Sequence, residues 1–544
     1  MKNFLIIFLG LIIVSSNASS QDTKSDNEPH AIFRKNSNIN LQSQTEYYNP
    51  LFVNYNVSNN SFPQNEPSVR ISRQNPNIVV AAWRDFRLGV TPAVRRIGYS
   101  YSTDGGLTWA PSQLLPDPLP EHTSQSDPVL TTDSYGHFYL SSTSRKPVSG
   151  YNRDMLMYKS TDNGQTFFLH STAVPGSGGA GEDKEWIFCD PVITNPTYDN
   201  IFITWTSFGP STGIKFRKST NAGLNWLSWV NVSDASNGAQ GSNVASGTNG
   251  DVLVVWRRSG VKFDKSTNGG TSFGSDYSLS TVTSTNNGSF PFICVDYSNH
   301  STRGNIYVVW ADDRQSNTDD IYFQRSTNNG QTWLSTPVQV NDVATGEQYW
   351  PAIQCDTNGN ICVIYYDERT APGVMNSYFA YSTDAGDTWI NQRLSDTSFF
   401  GNSPNSDVRY GDYIGIDIFA NRVVPVWTDD RAGGSNQEIY STSIILSSIS
   451  LNSQTVPNGF SLKQNYPNPF NPSTKIVFDI SKNSNATLKI YNTLGKEIEN
   501  LDFGNIQAGS YTYEWIPENL SSGVYFYSLK TKDFSDTKKM LYIK

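Results

Sequence analysis

The sequence predicts an all-β chain: a ring of repeated antiparallel sheets followed by a small β-sandwich. Three observations carry this reading. The composition is that of short strands and tight turns, with 13% aromatic and only 16% charged residues, and 40 glycines in 544 residues. One eight-residue turn motif recurs six times. Beyond residue 456 that motif is absent and a second, shorter set of strand-and-turn segments begins.

The repeated motif is Ser-Thr-(Asp/Asn)-x-Gly-x-x-(Trp/Phe), starting at Ser102, Ser160, Ser219, Ser266, Ser326 and Ser382. Steps of 58, 59, 47, 60 and 56 residues suit one four-stranded blade each. The acidic or amide side chain (Asp104, Asp162, Asn221, Asn268, Asn328, Asp384) accepts hydrogen bonds from nearby backbone. Asn replaces Asp freely because the role is acceptance, not charge. The glycine takes positive φ, and the closing aromatic plugs apolar surface between sheets.

Strand pairs precede each motif and begin near Glu66-Pro67, Asp127-Pro128, Asp190-Pro191, Ser242-Asn243, Phe290-Pro291, Trp350-Pro351 and Gly411-Asp412. That is seven units, one more than the motifs. The seventh ends after its third strand, around Glu438 to Ser441, and Leu51 to Val57 supplies a fourth strand from the N-terminal side. Pairing the two ends removes free sheet edges. A seven-bladed β-propeller is expected, with six blades as the alternative.

The remaining chain divides simply. Residues 1–20 read as a signal peptide, with Lys2, an apolar run from Phe4 to Val14, and Ser16-Asn17-Ala18 before the cleavage point. That run is too short to span a bilayer, so no transmembrane segment is expected. Residues 21–48 read as a disordered polar segment, 49–446 as the propeller, 447–455 as a linker and 456–544 as the C-terminal β-sandwich. A net charge of -9 offers no basic field, so no nucleic-acid partner is expected. Four cysteines do not make a disulfide framework. Cys355 and Cys362 flank a hairpin turn where a disulfide is one reading, and Cys189 and Cys294 read as buried small hydrophobes.

At the repeated turns the chain resembles the Asp-box (bacterial neuraminidase repeat) proteins, whose best-known members are sialidases. The resemblance spans roughly residues 50–446. It implies a propeller and turns that are structural, on the face opposite the ligand. Sialidases clamp a carboxylate with three arginines and use a tyrosine nucleophile activated by a glutamate, with an aspartate as acid/base. Here Asn65-Glu66-Pro67 puts a carboxylate where one clamp arginine is expected. Trp83-Arg84-Asp85-Phe86-Arg87 matches the segment carrying a ligand-contacting arginine, and Tyr413 lies near the place of the nucleophile. No complete arginine triad can be placed.

The tail resembles the type A C-terminal sorting domain of the type IX secretion system. The resemblance rests on Asn465-Tyr466-Pro467-Asn468-Pro469-Phe470, Leu488 to Gly495, Gly509-Ser510-Tyr511 and Ser522 to Phe526. It implies a Gram-negative envelope, export across both membranes, and a secreted or surface location with the type IX machinery as partner.

A second constellation comes from the residues alone. Aromatic-x-Asp-x-Arg ends the second strand of four units: Asp85/Arg87, Asp312/Arg314, Asp367/Arg369 and Asp429/Arg431. Residues two apart on a strand share a face, so each set is aligned. With the strand-start acids Glu66, Asp127, Asp190 and Asp412, these form either a binding rim for a polar ligand or a set of blade-to-blade ion pairs. The charged run Glu182 to Asp190 reads as a solvated loop pinned by Trp186 at the same face, or as a contributor of Asp183, Lys184 and Glu185 to the pocket. Such carboxylates are of the type that holds Ca2+, but no oxygen-ligand loop of recognisable spacing accompanies them, and no metal site or other cofactor is expected. The sequence therefore favours an extracellular binding or scaffold propeller for a glycan or glycoprotein over an enzyme. An exo-sialidase-like glycoside hydrolase is the alternative.

Overall fold

The computed structural model describes residues 52–91, 94–146, 152–176, 181–209, 211–235, 237–282, 289–315, 318–405, 408, 410–433, 436–446, 449–453, 457–506, 508–515, 517 and 520–544. The segments read as signal peptide and as disordered lie outside them. All regular structure among the described residues is β, in nine antiparallel sheets. No helix there is long and apolar enough to cross a membrane.

Seven sheets belong to the repeat region. Their innermost strands are Gln64–Ile71, Ser124–Thr132, Glu182–Cys189, Gln240–Ser246, Phe292–Val295, Gln348–Cys355 and Gly415–Phe419. Each packs against the next, and the seventh packs against the first, closing a ring. Sheets one to six each run inside-out through four consecutive strands. The seventh adds Arg422–Asp429 and Glu438–Ser441 and takes its outer strand, Tyr55–Asn56, from the other end of the chain. Val57 N–H donates to the Ile439 carbonyl at 2.7 Å, which continues that pairing.

The six motif turns join third to fourth strands, and their local chemistry is uniform. Ser102 donates to Asp104 and receives the Gly106 amide, while Asp104 receives the Thr108 amide at 2.9 Å. In the fourth motif Asn268 takes the Ser272 amide at 3.0 Å in the same way. Gly106 and Gly270 have φ of 88° and 86°, a region that resists side chains. The closing aromatic packs on the preceding sheet: Phe167 on Tyr99, Phe273 on Phe216, Trp333 on Phe263 and Trp389 on Phe323, with ring centroids 5.0–5.3 Å apart. Each turn thus cements two sheets.

Two further sheets pack face to face at the C-terminal end, around Phe478, Ile490, Trp515 and Tyr527. Ile449–Ser453, inside the segment read as a linker, is a strand paired with Gly509–Trp515. Its alternating Ile449 and Leu451 carry the period of a strand, which the polar surroundings hid. The disulfide reading for Cys355 and Cys362 is overturned, since both are free. Cys355 stands opposite Ile361 and Cys362 opposite Gln354, so the two thiols point to opposite faces of the sheet.

Candidate functional site at the mouth of the propeller

Five inner strands carry the same irregularity near their start. Register shifts fall at Asn65/Ser68, Ser126/Val129, Asp183/Trp186, Gln240/Asn243 and Tyr349/Ala352. At each bulge one residue has positive φ: Glu66 (54°), Asp127 (55°), Lys184 (51°), Gly241 (65°) and Trp350 (53°). A bulge re-aims a side chain, and a non-glycine residue held at positive φ stores backbone strain of about 1–3 kcal/mol. Three of the bulge residues, Glu66, Asp127 and Lys184, lie close enough to act on one another's charge. Gly411, at φ 107°, leaves room there: a Cβ on it would stand 2.7 Å from Glu66 Cγ.

Opposite charges interleave at this mouth. Arg84 Nη1 lies 3.1 Å from Glu66 Oε1, and its Nε donates to Asn65 at 2.6 Å. Lys184 pairs with Asp412, stands 4.0 Å from Glu66, and lies 5.5 Å over the Tyr413 ring and 5.7 Å over Phe290. Arg153 pairs with Asp183. Arg95 is half-buried, and its Nε is enclosed with no acceptor among the described residues. Burial, then Arg84 and Arg153, push the Arg95 guanidinium down to about 10.

The two leading carboxyls are driven apart. Burial lifts Glu66 to about 7, against the pull of Arg84 and Lys184. Asp127 is also buried, but Lys184, Arg153, Arg84 and Arg95 outweigh that and hold it at about 2. Asp127 further accepts from Ser126 and Thr143. Burial and then Asp127 push Glu185 well above the carboxylate range.

Sequence reasoning and structure meet unevenly here. Glu66, Asp127 and Asp412 come together, as read. Asp190 does not: it lies past the far end of its inner strand and accepts from Val192, Asn195, Thr197 and Ser246. The third sheet's bulge is Lys184-Glu185, inside the run read as a solvated loop. Glu182, Asp183, Lys184 and Glu185 are all at most 7% exposed. Arg84, Arg95 and Arg153 converge from three strand ends, a grouping with no local signature in the sequence.

Tyr413 is 5% exposed and its hydroxyl donates to the Pro128 carbonyl at 3.4 Å. Burial and then Glu66 and Asp127 push it well above its ordinary value, opposite to what a phenolate nucleophile needs. The four Asp/Arg sets sit further out. Asp85, Asp312, Asp367 and Asp429 are 0–1% exposed and each binds the arginine two residues on. Trp83, Trp310 and Trp427 indoles donate to the same carboxylates. Arg314, Arg369 and Arg431 lie 3.9–4.2 Å over Tyr322, Tyr378 and Tyr440. They also reach Ser280, Asp342 and Asp396, which trail the preceding sheet.

Residues 464–544 match the family described as the secretion system C-terminal sorting domain. No curated protein matches the chain. Among solved structures, a protein of unknown function from Dyadobacter fermentans matches at 13% identity and TM-score 0.43, over 73% of this chain and 98% of its own. The leech intramolecular trans-sialidase matches at 13% and 0.42, over 62% of this chain and 68% of its own. The α-L-arabinanase of Penicillium chrysogenum matches at 14% and 0.42, over 73% and 99%. The matched tail marks an all-β protein exported by type IX secretion to the cell surface or the extracellular space, through contact with that machinery.

Proposed function

We propose that the chain is an exported carbohydrate-binding propeller whose ligand sits at the mouth formed by Glu66, Asp127, Lys184, Asp412 and Tyr413. The observation that carries this reading is the repeated left-handed bulge, which strains three charged residues toward the axis. Carboxylates and cations suit sugar hydroxyls, and the rings of Phe290 and Tyr413 suit the apolar face of a sugar. Saccharides reach an exported surface protein in its own compartment. The Asp/Arg sets serve on this reading as staples between blades, because their carboxylates are fully occupied.

A glycoside hydrolase is the second reading, favoured by one observation. Glu66 at about 7 and Asp127 at about 2 are neighbours in the same mouth. Carboxyls driven apart in this way supply a general acid and a base or nucleophile. The full chain on a glycan array, followed by reducing-sugar assay of every hit, separates the two. Binding without turnover supports the first reading. Turnover lost in Asp127→Asn but kept in Tyr413→Phe supports the second, and turnover lost in Tyr413→Phe would restore a sialidase-type nucleophile. An array without a single hit removes the carbohydrate reading.

A further inference from the structure

Below Lys184 the mouth narrows into a small cleft of about 20 Å3, room for one water-sized group, between the third, fourth and fifth sheets. Its walls are largely aromatic, with Trp186 edge-on to Phe292 at 4.9 Å and to Tyr413 at 6.1 Å. Among these rings stand polar groups whose hydrogen-bonding capacity is unused. Glu185, Ser242 and Asn243 are 2%, 3% and 3% exposed. Both Glu185 oxygens, Ser242 Oγ and Asn243 Nδ2 meet no partner among the described residues, apart from Glu185's own amide. Asn243 is held in place because its Oδ1 accepts the Ile293 amide at 3.1 Å.

Buried polar groups are rarely left this way, and three from adjacent strands around one cleft define a complementary shape. Asn243 Nδ2 demands an acceptor. Ser242 donates or accepts, and so does the Glu185 carboxyl in its neutral form, which the burial of the group favours. A ligand hydroxyl answers all of them, because it donates and accepts at one atom. A ligand carboxylate would be buried beside Glu185 and Asp127, while the cation lining the cleft, Lys184, already pairs with Asp412. A ligand ammonium would be buried beside Lys184 and would leave Asn243 unanswered, while Asp127 is already opposed by Lys184, Arg153 and Arg84 and burial favours the neutral form of Glu185.

We propose that this cleft is a subsite for one uncharged hydroxyl-bearing group of a sugar, so that the mouth selects neutral saccharides over acidic and amino sugars. The inference rests on the mouth being a carbohydrate site and names its ligand class.

Two series that differ in charge test it: galactose, galacturonate and galactosamine, and glucose, glucuronate and glucosamine. Binding to the full chain is read by saturation-transfer NMR and competition at neutral pH. In at least one series the neutral sugar should bind about tenfold more tightly than either charged relative. Ser242→Ala should weaken that sugar several-fold, while the isosteric Glu185→Gln keeps it. Equal or tighter binding of a charged relative in every series that binds overturns the inference. So does unchanged affinity in both Ser242→Ala and Glu185→Leu, each checked for a wild-type thermal melt, since the cleft then holds only water. Sugars that bind but are indifferent to Lys184→Met and Asp127→Asn overturn the placement of the whole site instead. Failure of both series to bind overturns the carbohydrate reading and this one together.

Discussion

Glu66 stands in a left-handed bulge between Arg84 and Lys184, yet burial dominates and lifts its carboxyl to about 7 from its ordinary value of 4.5. The folded protein therefore binds this proton more tightly than the unfolded chain does. Its contribution to stability is complete below pH 4.5 and is lost as pH rises through about 7. Asp127 runs the other way, with stability present above its ordinary value of 3.8 and lost only as pH falls toward about 2. Between pH 5 and 7.5 the Glu66 trend is thus not masked by its neighbour. Urea unfolding of wild type and Glu66→Gln across that range should show the wild type losing ground by an amount on the order of 2–3 kcal/mol. Parallel curves would place the Glu66 proton elsewhere.

Between residue and ring lies the blade, where the legibility of the sequence divides sharply. The six turn motifs were readable because Ser, Asp or Asn, Gly and the aromatic do their work within eight residues. The third bulge was not. Proline follows the bulge residue at Glu66-Pro67, Asp127-Pro128 and Trp350-Pro351, but Glu185 follows Lys184, and Asp190-Pro191 imitates the pattern one strand-length too late. A charged run is normally a solvated run, and only the ring of neighbouring sheets buries this one. The aromatic-x-Asp-x-Arg sets were visible, but their burial was not, because each arginine reaches a serine or acid far off in sequence. Asp312 accepts from Trp310 at 2.7 Å and from Arg314, which also reaches Ser280 of the preceding sheet. Asp312→Ala strands a buried indole N–H and a guanidinium and should cost about 3 kcal/mol in urea unfolding. Arg314→Ala leaves the opposite charge uncompensated, so the double variant should fall short of the sum by about 1–2 kcal/mol. Strict additivity would show that the two do not form one staple.

Among the described residues, and apart from the side chains that meet at the mouth, each sheet of the ring packs mainly on its two neighbours, so the ring is as cooperative as its single seam. That seam is the pairing of Tyr55 with Ser441 and Asn56 with Tyr440, only two residues long. Asn54 reinforces it from one side: its Nδ2 donates to the Leu394 carbonyl at 2.9 Å, and its Oδ1 receives the Asp396 amide at 2.8 Å and Arg431 at 3.0 Å. One side chain thereby ties the N-terminal strand to the tail of the sixth sheet and to the arginine of the seventh. Ser58, fully buried, receives the Ile439 amide at 2.9 Å on the other side of the strand. Opening the seam would expose two sheet edges and remove the neighbour on which both the first and seventh inner strands pack. Asn54→Ala should therefore lower stability by about 2–3 kcal/mol, more than an exposed asparagine allows, with the slope of urea unfolding unchanged. A chain lacking residues before Ser61 should go further and unfold in two steps, with tryptophan fluorescence and far-ultraviolet circular dichroism no longer coincident. A single coincident transition at the wild-type midpoint in that shortened chain would mean that the inner strands alone hold the ring, and that the shared seventh sheet is incidental to its stability.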